Sequence, residues 1–288
     1  MIAATLAHVV SYHLLYAVIC GLCLWEFSGL LFSEGLNYRL LRRFLLVALG
    51  FLPTAFVLVV HVVAQLFDSA KVGALGNLFD PGGIFQILEM VRKLPAFFFA
   101  LLALLPFSLL LIELFLPDGN GFANLGKYLT GLIYLGVPLV LPHLMASWYG
   151  EFQPWTMFGI LLLVWTSDVM AYLVGSRFGK RLLFPRISPK KTWEGTIGGV
   201  FCAMAVGLGL GFVFPLVGFG ELEALDWLLL GLVCAVFGTL GDLVESMLKR
   251  SLNIKDSGDV LPGHGGWLDR FDALVFTLPF AVAYLFLL

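Results

Sequence analysis

Residues 226–272 read DWLLLGLVCAVFGTLGDLVESMLKRSLNIKDSGDVLPGHGGWLDRFD. An apolar run long enough to cross a bilayer ends in a polar stripe, and a charged, glycine-rich loop follows. About 20 apolar residues, each rising about 1.5 Å, cross the hydrocarbon core. Lipid offers no partner to backbone N–H and C=O groups, so such a run must be helical. The pattern recurs along the chain. Of 288 residues, 60% are hydrophobic, 27 are phenylalanine and only 12% are charged; the mean hydropathy is +0.97. A soluble globular domain carries about 25% charged residues, so that class is excluded. The expected fold is an all-α polytopic integral membrane protein with about eight transmembrane helices and a polar site facing the cytosol. The expected spans are 4–32, 44–67, 95–117, 127–148, 155–175, 197–216, 226–248 and 271–288, with a ninth if one more is hidden.

No internal repeat stands out, so 1–288 reads as a single membrane domain. No basic segment precedes the first apolar run, which is longer than a signal-peptide core, and it is expected to be a retained span. Cys20, Cys23, Cys202 and Cys234 all lie in apolar runs. There thiolate formation is disfavoured, so they read as packing residues rather than a redox or zinc motif.

Charge placement sets the expected orientation. All but Lys71, Arg92 and Lys93 of the 17 basic residues fall in alternate connections, around 33–43, at Lys127, in 176–196 and in 249–270. By the positive-inside rule these connections are cytoplasmic. In segment 68–94, Asp80-Pro81 reads as a helix start. Ile84, Ile87, Leu88 and Val91 then mark an amphipathic helix on the outer surface, or a re-entrant piece.

Three polar patches stand out. On a helix Asp242, Glu245, Ser246 and Lys249 share one face, either as a solvated helix end or as a site. The long loop 251–268 carries Lys255, Asp256, Gly263, His264, Gly265 and Gly266. Its glycines let backbone approach a ligand, and successive N–H groups can cradle an anion. Asp269, Arg270 and Asp272 open the last span. The second patch, Ser188-Pro189-Lys190-Lys191, is either topology-setting charge with a helix start or a binder of anionic headgroups. The third, Asp168, lies about 10 Å inside the fifth span, and an intramembrane carboxylate is a functional candidate. Glu26, Glu113, His13, His61 and His143 read as satisfied polar residues or interfacial ends. Carboxylates beside Lys, Arg and Gly suit phosphate chemistry, in which carboxylates hold Mg²⁺ and basic groups hold phosphates.

Residues 246–272, taken with AYLVGSRFGK at 171–180 and ISPKKTWEGTIGG at 187–199, resemble the phosphatidate cytidylyltransferase (CDP-diacylglycerol synthase) family. The signature shows no mismatch over 246–272. The resemblance covers a C-terminal catalytic half, 149–288; the N-terminal half, 1–148, is divergent apart from Trp25-Glu26-Phe27. It implies transfer of CMP from CTP to phosphatidic acid, giving CDP-diacylglycerol and pyrophosphate in phospholipid biosynthesis. The substrates are CTP and phosphatidic acid, the setting is a bilayer, no nucleic acid is a partner, and a homodimer is implied. The implied location is the bacterial inner membrane with the active site facing the cytosol. The implied cofactor is Mg²⁺, with room for a second metal or K⁺. On this reading Asp242, Asp269 and Asp272 serve the metal. Lys249, Arg250, Lys255, Asp256 and Arg270 complete the catalytic set. Ser188, Lys190, Lys191, Ser246, Gly263, His264, Gly265, Gly266 and Asp168 serve substrate. Three rivals stand beside it: a CTP-dependent lipid kinase, a CDP-alcohol phosphotransferase whose paired aspartate motif is absent, and a secondary transporter, which favours inverted repeats and midplane sites.

Overall fold

The computed structural model describes residues 9–32, 38–66, 81–116, 120–146, 152–219, 222–255, 257–258 and 265–288, with backbone alone for 63–66, 81–92, 94, 95 and 97. Asp80, Asp256, Gly263 and His264 lie outside them. The elements are α1 (Val9–Leu31), α2 (Arg39–Leu66), α3 (Pro81–Leu114), α4 (Gly121–Gly131), a π turn (Leu132–Gly136), α5 (Val137–Met145), α6 (Trp155–Phe178), β1 (Leu182–Phe184), β2 (Ser188–Thr192), α7 (Trp193–Leu216), α8 (Ala224–Ser251) and α9 (Leu268–Leu285). The chain is an all-α polytopic membrane protein. Among the described residues six helices are long and apolar enough to cross a bilayer, counting Gly121–Met145 as one. The two remaining expected spans, 95–117 and 271–288, fall on the apolar half of α3, Phe98–Leu114, and on the 18-residue α9, whose first turn carries Asp269 and Arg270 ahead of that span.

Two expectations need correction. The surface helix expected within 68–94 and the span expected at 95–117 form one helix, Pro81–Leu114. Pro81 starts it, as its fixed φ favours, and no break separates the two parts. The stretch 182–192, expected as loop and helix start, is a two-stranded antiparallel hairpin with Leu182 opposite Thr192 and Phe184 opposite Ser188. Pro189 is tolerated because a two-stranded ribbon leaves edge N–H positions without a ladder partner.

Two helix starts follow ordinary capping chemistry. Thr192 accepts the Gly195 N–H at 3.2 Å and starts α7. Glu223 and Asp226 form a reciprocal capping box at the start of α8.

Interhelical packing explains the arrangement. Without a hydrophobic force between helices in lipid, close approach relies on small residues. In α7, Gly195, Gly199, Ala203, Gly207 and Gly211 recur every fourth residue. A methyl on Gly199 would lie 2.7 Å from the Ser167 carbonyl of α6. One on Gly207 would lie 2.2 Å from the Trp227 carbonyl of α8. Trp227 is itself buried in the space that Gly159 of α6 leaves.

The N-terminal helices pack on this group around Tyr12, Tyr16, Phe27, Leu46 and Leu135. Arg42 and Glu113 pair there at 2.8 Å, both buried, and Asn124 and Tyr128 also donate to Glu113. Nδ1 of His13 lies 2.8 Å from Nδ1 of His143. Glu113 thus has the partners expected of a polar residue inside a span, whereas His13 and His143 meet each other through Nδ1 while the Nε2 of each is buried without a hydrogen-bond partner among the described residues. Cys20, Cys23 and Cys234 are buried free thiols. The large apolar residues left exposed, among them Phe99, Phe107, Phe201 and Phe212, suit a lipid-facing surface.

Candidate active site

A cavity of about 640 Å³ lies where α6, β2, α7, α8 and α9 meet. Asp168, Tyr172 and Ser176 contribute from α6, Lys190 and Lys191 from β2, and Thr196 from α7. Thr239, Asp242 and Lys249 come from α8, and Asp269 and Asp272 from α9.

Each group has a local reason for its position. The polar stripe of α8 forms as its spacing requires. Ser246 Oγ donates to Asp242 Oδ1 at 3.2 Å, and Lys249 pairs with Glu245 one turn back at 2.8 Å. Gly241 lets α9 come close, since a methyl there would lie 2.6 Å from Phe276 Cβ and 2.9 Å from the Asp272 carbonyl. That contact brings the carboxylate of Asp272 near those of Asp242 and Asp168. Lys249 also crosses to Asp269 Oδ1 at 2.5 Å. The hairpin carries Lys191 back to Asp242 Oδ2 at 2.6 Å and to the Thr239 carbonyl at 3.3 Å.

Asp269 sits in the first turn of α9, ahead of the apolar run from Phe271. Burial pushes its pKa up, but Lys249 and the amides of Gly266 and Ser257 outweigh this and hold it down to about 2.

The residues fit a hard divalent cation. Four carboxylates line one cavity, an all-oxygen donor set of the kind Mg²⁺ prefers. Glu245 is fully buried behind them, beside Asp272 and paired with Lys249 at 2.8 Å. Two lysine ammoniums already occupy positions against Asp242 and Asp269, so these carboxylates attract cations. Among the described residues no three acidic, His or Cys side chains converge into a complete cage.

A profile of the Cytidylyltransferase family matches residues 1–288, the whole chain. The chain belongs to the cytidylyltransferase family. A phosphatidate cytidylyltransferase of Bacillus subtilis (strain 168) is 35% identical over 256 residues, covering 82% of this chain and 89% of the relative. One of Staphylococcus aureus (strain COL) is 51% identical over 120 residues, 41% of this chain and 44% of its own. A third, of Staphylococcus haemolyticus (strain JCSC1435), is 48% identical over a match of the same length.

Within this chain the expected site residues divide. Asp168, Lys190, Lys191, Asp242, Lys249, Asp269 and Asp272 share the cavity wall. Ser246 supports Asp242 from the same helix. Gly266 N donates to Asp269 Oδ2 at 3.0 Å. Gly265, at φ +77°, turns the chain there in the left-handed region that favours glycine. Ser188 pairs within the hairpin and does not line the cavity. Arg250, Lys255 and Arg270 are exposed and not on its wall, and the Arg250 guanidinium donates to the Ile254 carbonyl at 3.4 Å. Tyr172 and Thr196 of the wall fall within the stretches 171–180 and 187–199 but are not singled out there, and Thr239 carries no charge and sits in an apolar run, so nothing in the sequence marks it.

Proposed function

We propose that this chain transfers the cytidylyl group of CTP to phosphatidic acid, yielding CDP-diacylglycerol and pyrophosphate. The observation that carries the reading is the convergence, in a member of this family, of Asp168, Asp242, Asp269 and Asp272 with Lys190, Lys191 and Lys249 around one cavity of about 640 Å³. Its relatives bear the name phosphatidate cytidylyltransferase.

In the proposed reaction an oxygen of the lipid phosphate attacks the α-phosphorus of CTP. The new P–O bond forms as the bond from the α-phosphorus to the bridging oxygen of pyrophosphate breaks. No general base is required, because a phosphate monoester with a second pKa of about 6 is already anionic near neutral pH. The work left to the protein is positioning and neutralisation of charge. Lys190, Lys191 and Lys249 hold phosphate oxygens as point charges. Thr196 and Ser176 line the cavity with hydroxyls that donate to the carbonyls of Thr192 at 3.1 Å and Leu173 at 3.0 Å, which leaves their oxygen lone pairs facing it. Asp242 and Asp269, with Asp272 beside them, would hold Mg²⁺, which when bound supplies neutralisation of the triphosphate and of the leaving pyrophosphate. A second metal or K⁺ belongs to the same proposal. So do a homodimer, tested by light scattering in detergent, and a bacterial inner-membrane location with the cavity open to the cytosol.

The decisive test uses purified protein, phosphatidic acid, Mg²⁺ and CTP labelled at either the α or the γ phosphorus. Label from the α position should enter the lipid, with pyrophosphate released in equal amount. Label from the γ position in the lipid would instead establish a CTP-dependent kinase.

A further inference from the structure

Glu26 lies in α1, far from the catalytic helices in sequence, and is only 8% exposed. Burying a carboxylate is costly unless its oxygens are satisfied. Both oxygens meet the signature loop. Oε2 accepts the backbone N–H of Trp267 at 2.7 Å, and Oε1 accepts the hydroxyl of Ser257. The loop is shaped to receive this side chain. A methyl on Gly266 would lie 1.8 Å from Glu26 Oε1, and one on Gly258 would lie 3.1 Å from Glu26 Cδ. Glycine at these positions therefore makes room for a carboxylate.

The same loop atoms hold Asp269. The amides of Ser257 and Gly266 each donate to Asp269 Oδ2 at 3.0 Å. The Ser257 hydroxyl lies 3.0 Å from that oxygen and has one proton to share between the two carboxylates. Trp267, whose amide Glu26 binds, is the N-cap residue of α9 and makes no side-chain cap of its own. A carboxylate at that end also complements the helix dipole. Glu26 thus meets the start of α9 and, through Ser257, the carboxylate of Asp269.

We propose that Glu26 is a positioning residue of the active site: it docks Ser257, Gly266 and the start of α9 onto α1, and so fixes the direction in which Asp269 presents its carboxylate to the cavity. The divergent N-terminal half therefore contributes to the geometry of the catalytic half. This inference rests on the reading of Asp269 as a group that faces the substrate phosphates or their cation.

The test is Glu26→Gln, which preserves shape but replaces one acceptor with an N–H₂ donor. Outer-shell partners of ligating side chains typically change affinity or activity about 10–100-fold, and a change in that range is expected in kcat. The Mg²⁺ concentration giving half-maximal rate should rise, while KM for phosphatidic acid stays within about twofold. Independently of activity, hydrogen exchange at the amides of Ser257, Gly266 and Trp267 should accelerate, with α1 itself remaining protected. Ser257→Ala should give a smaller loss, and the double variant should be no worse than Glu26→Gln alone, because contacts acting on one carboxylate do not add. If Glu26→Gln does not assemble, Ser257→Ala carries the same test through exchange at Gly266 and the Mg²⁺ requirement. Unchanged kcat and Mg²⁺ requirement, with or without a lower Tm, would overturn the proposal. Asp269→Asn is the control that separates the two readings. If it retains full activity, the reading of Asp269 itself fails; if it is inactive while Glu26→Gln is unaffected, only the positioning role fails.

Discussion

Lys191 and Lys249 each neutralise an aspartate of the cavity, but in different surroundings. The Lys191–Asp242 pair is partly open, with side chains 22% and 37% exposed, whereas Lys249 and Asp269 are each 13% exposed and the Glu245 that Lys249 also meets is fully buried. An exposed ion pair contributes at most about 1 kcal/mol. Removing one member of a buried pair costs about 3–5 kcal/mol, because the remaining charge is left unmatched. Lys191→Met should therefore leave thermal stability nearly unchanged while raising KM for a phosphate substrate, measured by titrating CTP and phosphatidic acid separately. Lys249→Met should lower stability by about 3 kcal/mol, seen as a reduced Tm in detergent, and should abolish activity as well. Equal Tm losses would contradict this assignment. The sequence already displays the stripe from Asp242 to Lys249, because its spacing is local to one helix. It does not display the partner of Lys191, since a lysine pair at a helix start looks the same whether it sets topology or reaches across a fold. Glu26 stands out only as part of Trp25-Glu26-Phe27; its partners are not displayed, because they lie more than two hundred residues away and meet it only when α1 and α9 pack together.

At the level of elements, α7 carries the argument. Gly199→Leu drives a side chain into the Ser167 carbonyl and Ala171; overpacking of this kind costs about 1–3 kcal/mol or more. It should lower Tm and activity together by separating α6, which bears Asp168, from its neighbour. Gly209→Leu, where a methyl meets nothing within 4 Å, should have little effect on either. Thermal denaturation and the CTP assay on the two variants check the contrast. A second element-scale case is the buried Arg42–Glu113 pair joining α2 to α3. Glu113→Ala should cost about 3–5 kcal/mol, and Arg42→Met in the same chain should recover most of that loss, as a double-mutant cycle in Tm would show. The four-residue repeat of small side chains in α7 is written in the sequence, but which neighbour each one meets is not. The hairpin was hidden for another reason: its second strand runs straight into the cap of α7, so its residues carry the marks of a helix start. The unbroken α3 escaped notice because charge at Arg92 and Lys93 resembles the boundary between a surface helix and a span.

For the whole molecule, the basic connections and the cavity share an end, since Lys190, Lys191 and Lys249 belong to both. CTP does not cross a bilayer, so sidedness is directly measurable. Sealed inside-out vesicles should convert added CTP to CDP-diacylglycerol at full rate, while sealed right-side-out vesicles should do so only after permeabilisation. Full activity in intact right-side-out vesicles would reverse the proposed orientation. The membrane class and the family were both legible in the chain, the first from composition and the second from residues 246–272. The depth and shape of the cavity were not, because they depend on how closely α8 and α9 approach at Gly241.

The spacing of the small residues in α7 has a further consequence. A step of four residues overshoots one turn by about 40°, so the row from Gly195 to Gly211 winds around the helix. Its first members accordingly touch α6 and its later ones α8. A single residue inserted between Ala203 and Gly207 would rotate one seam against the other by about 100° and jam large side chains into both. Length variation among natural versions of this protein should therefore spare the interior of α7 and collect in the connections.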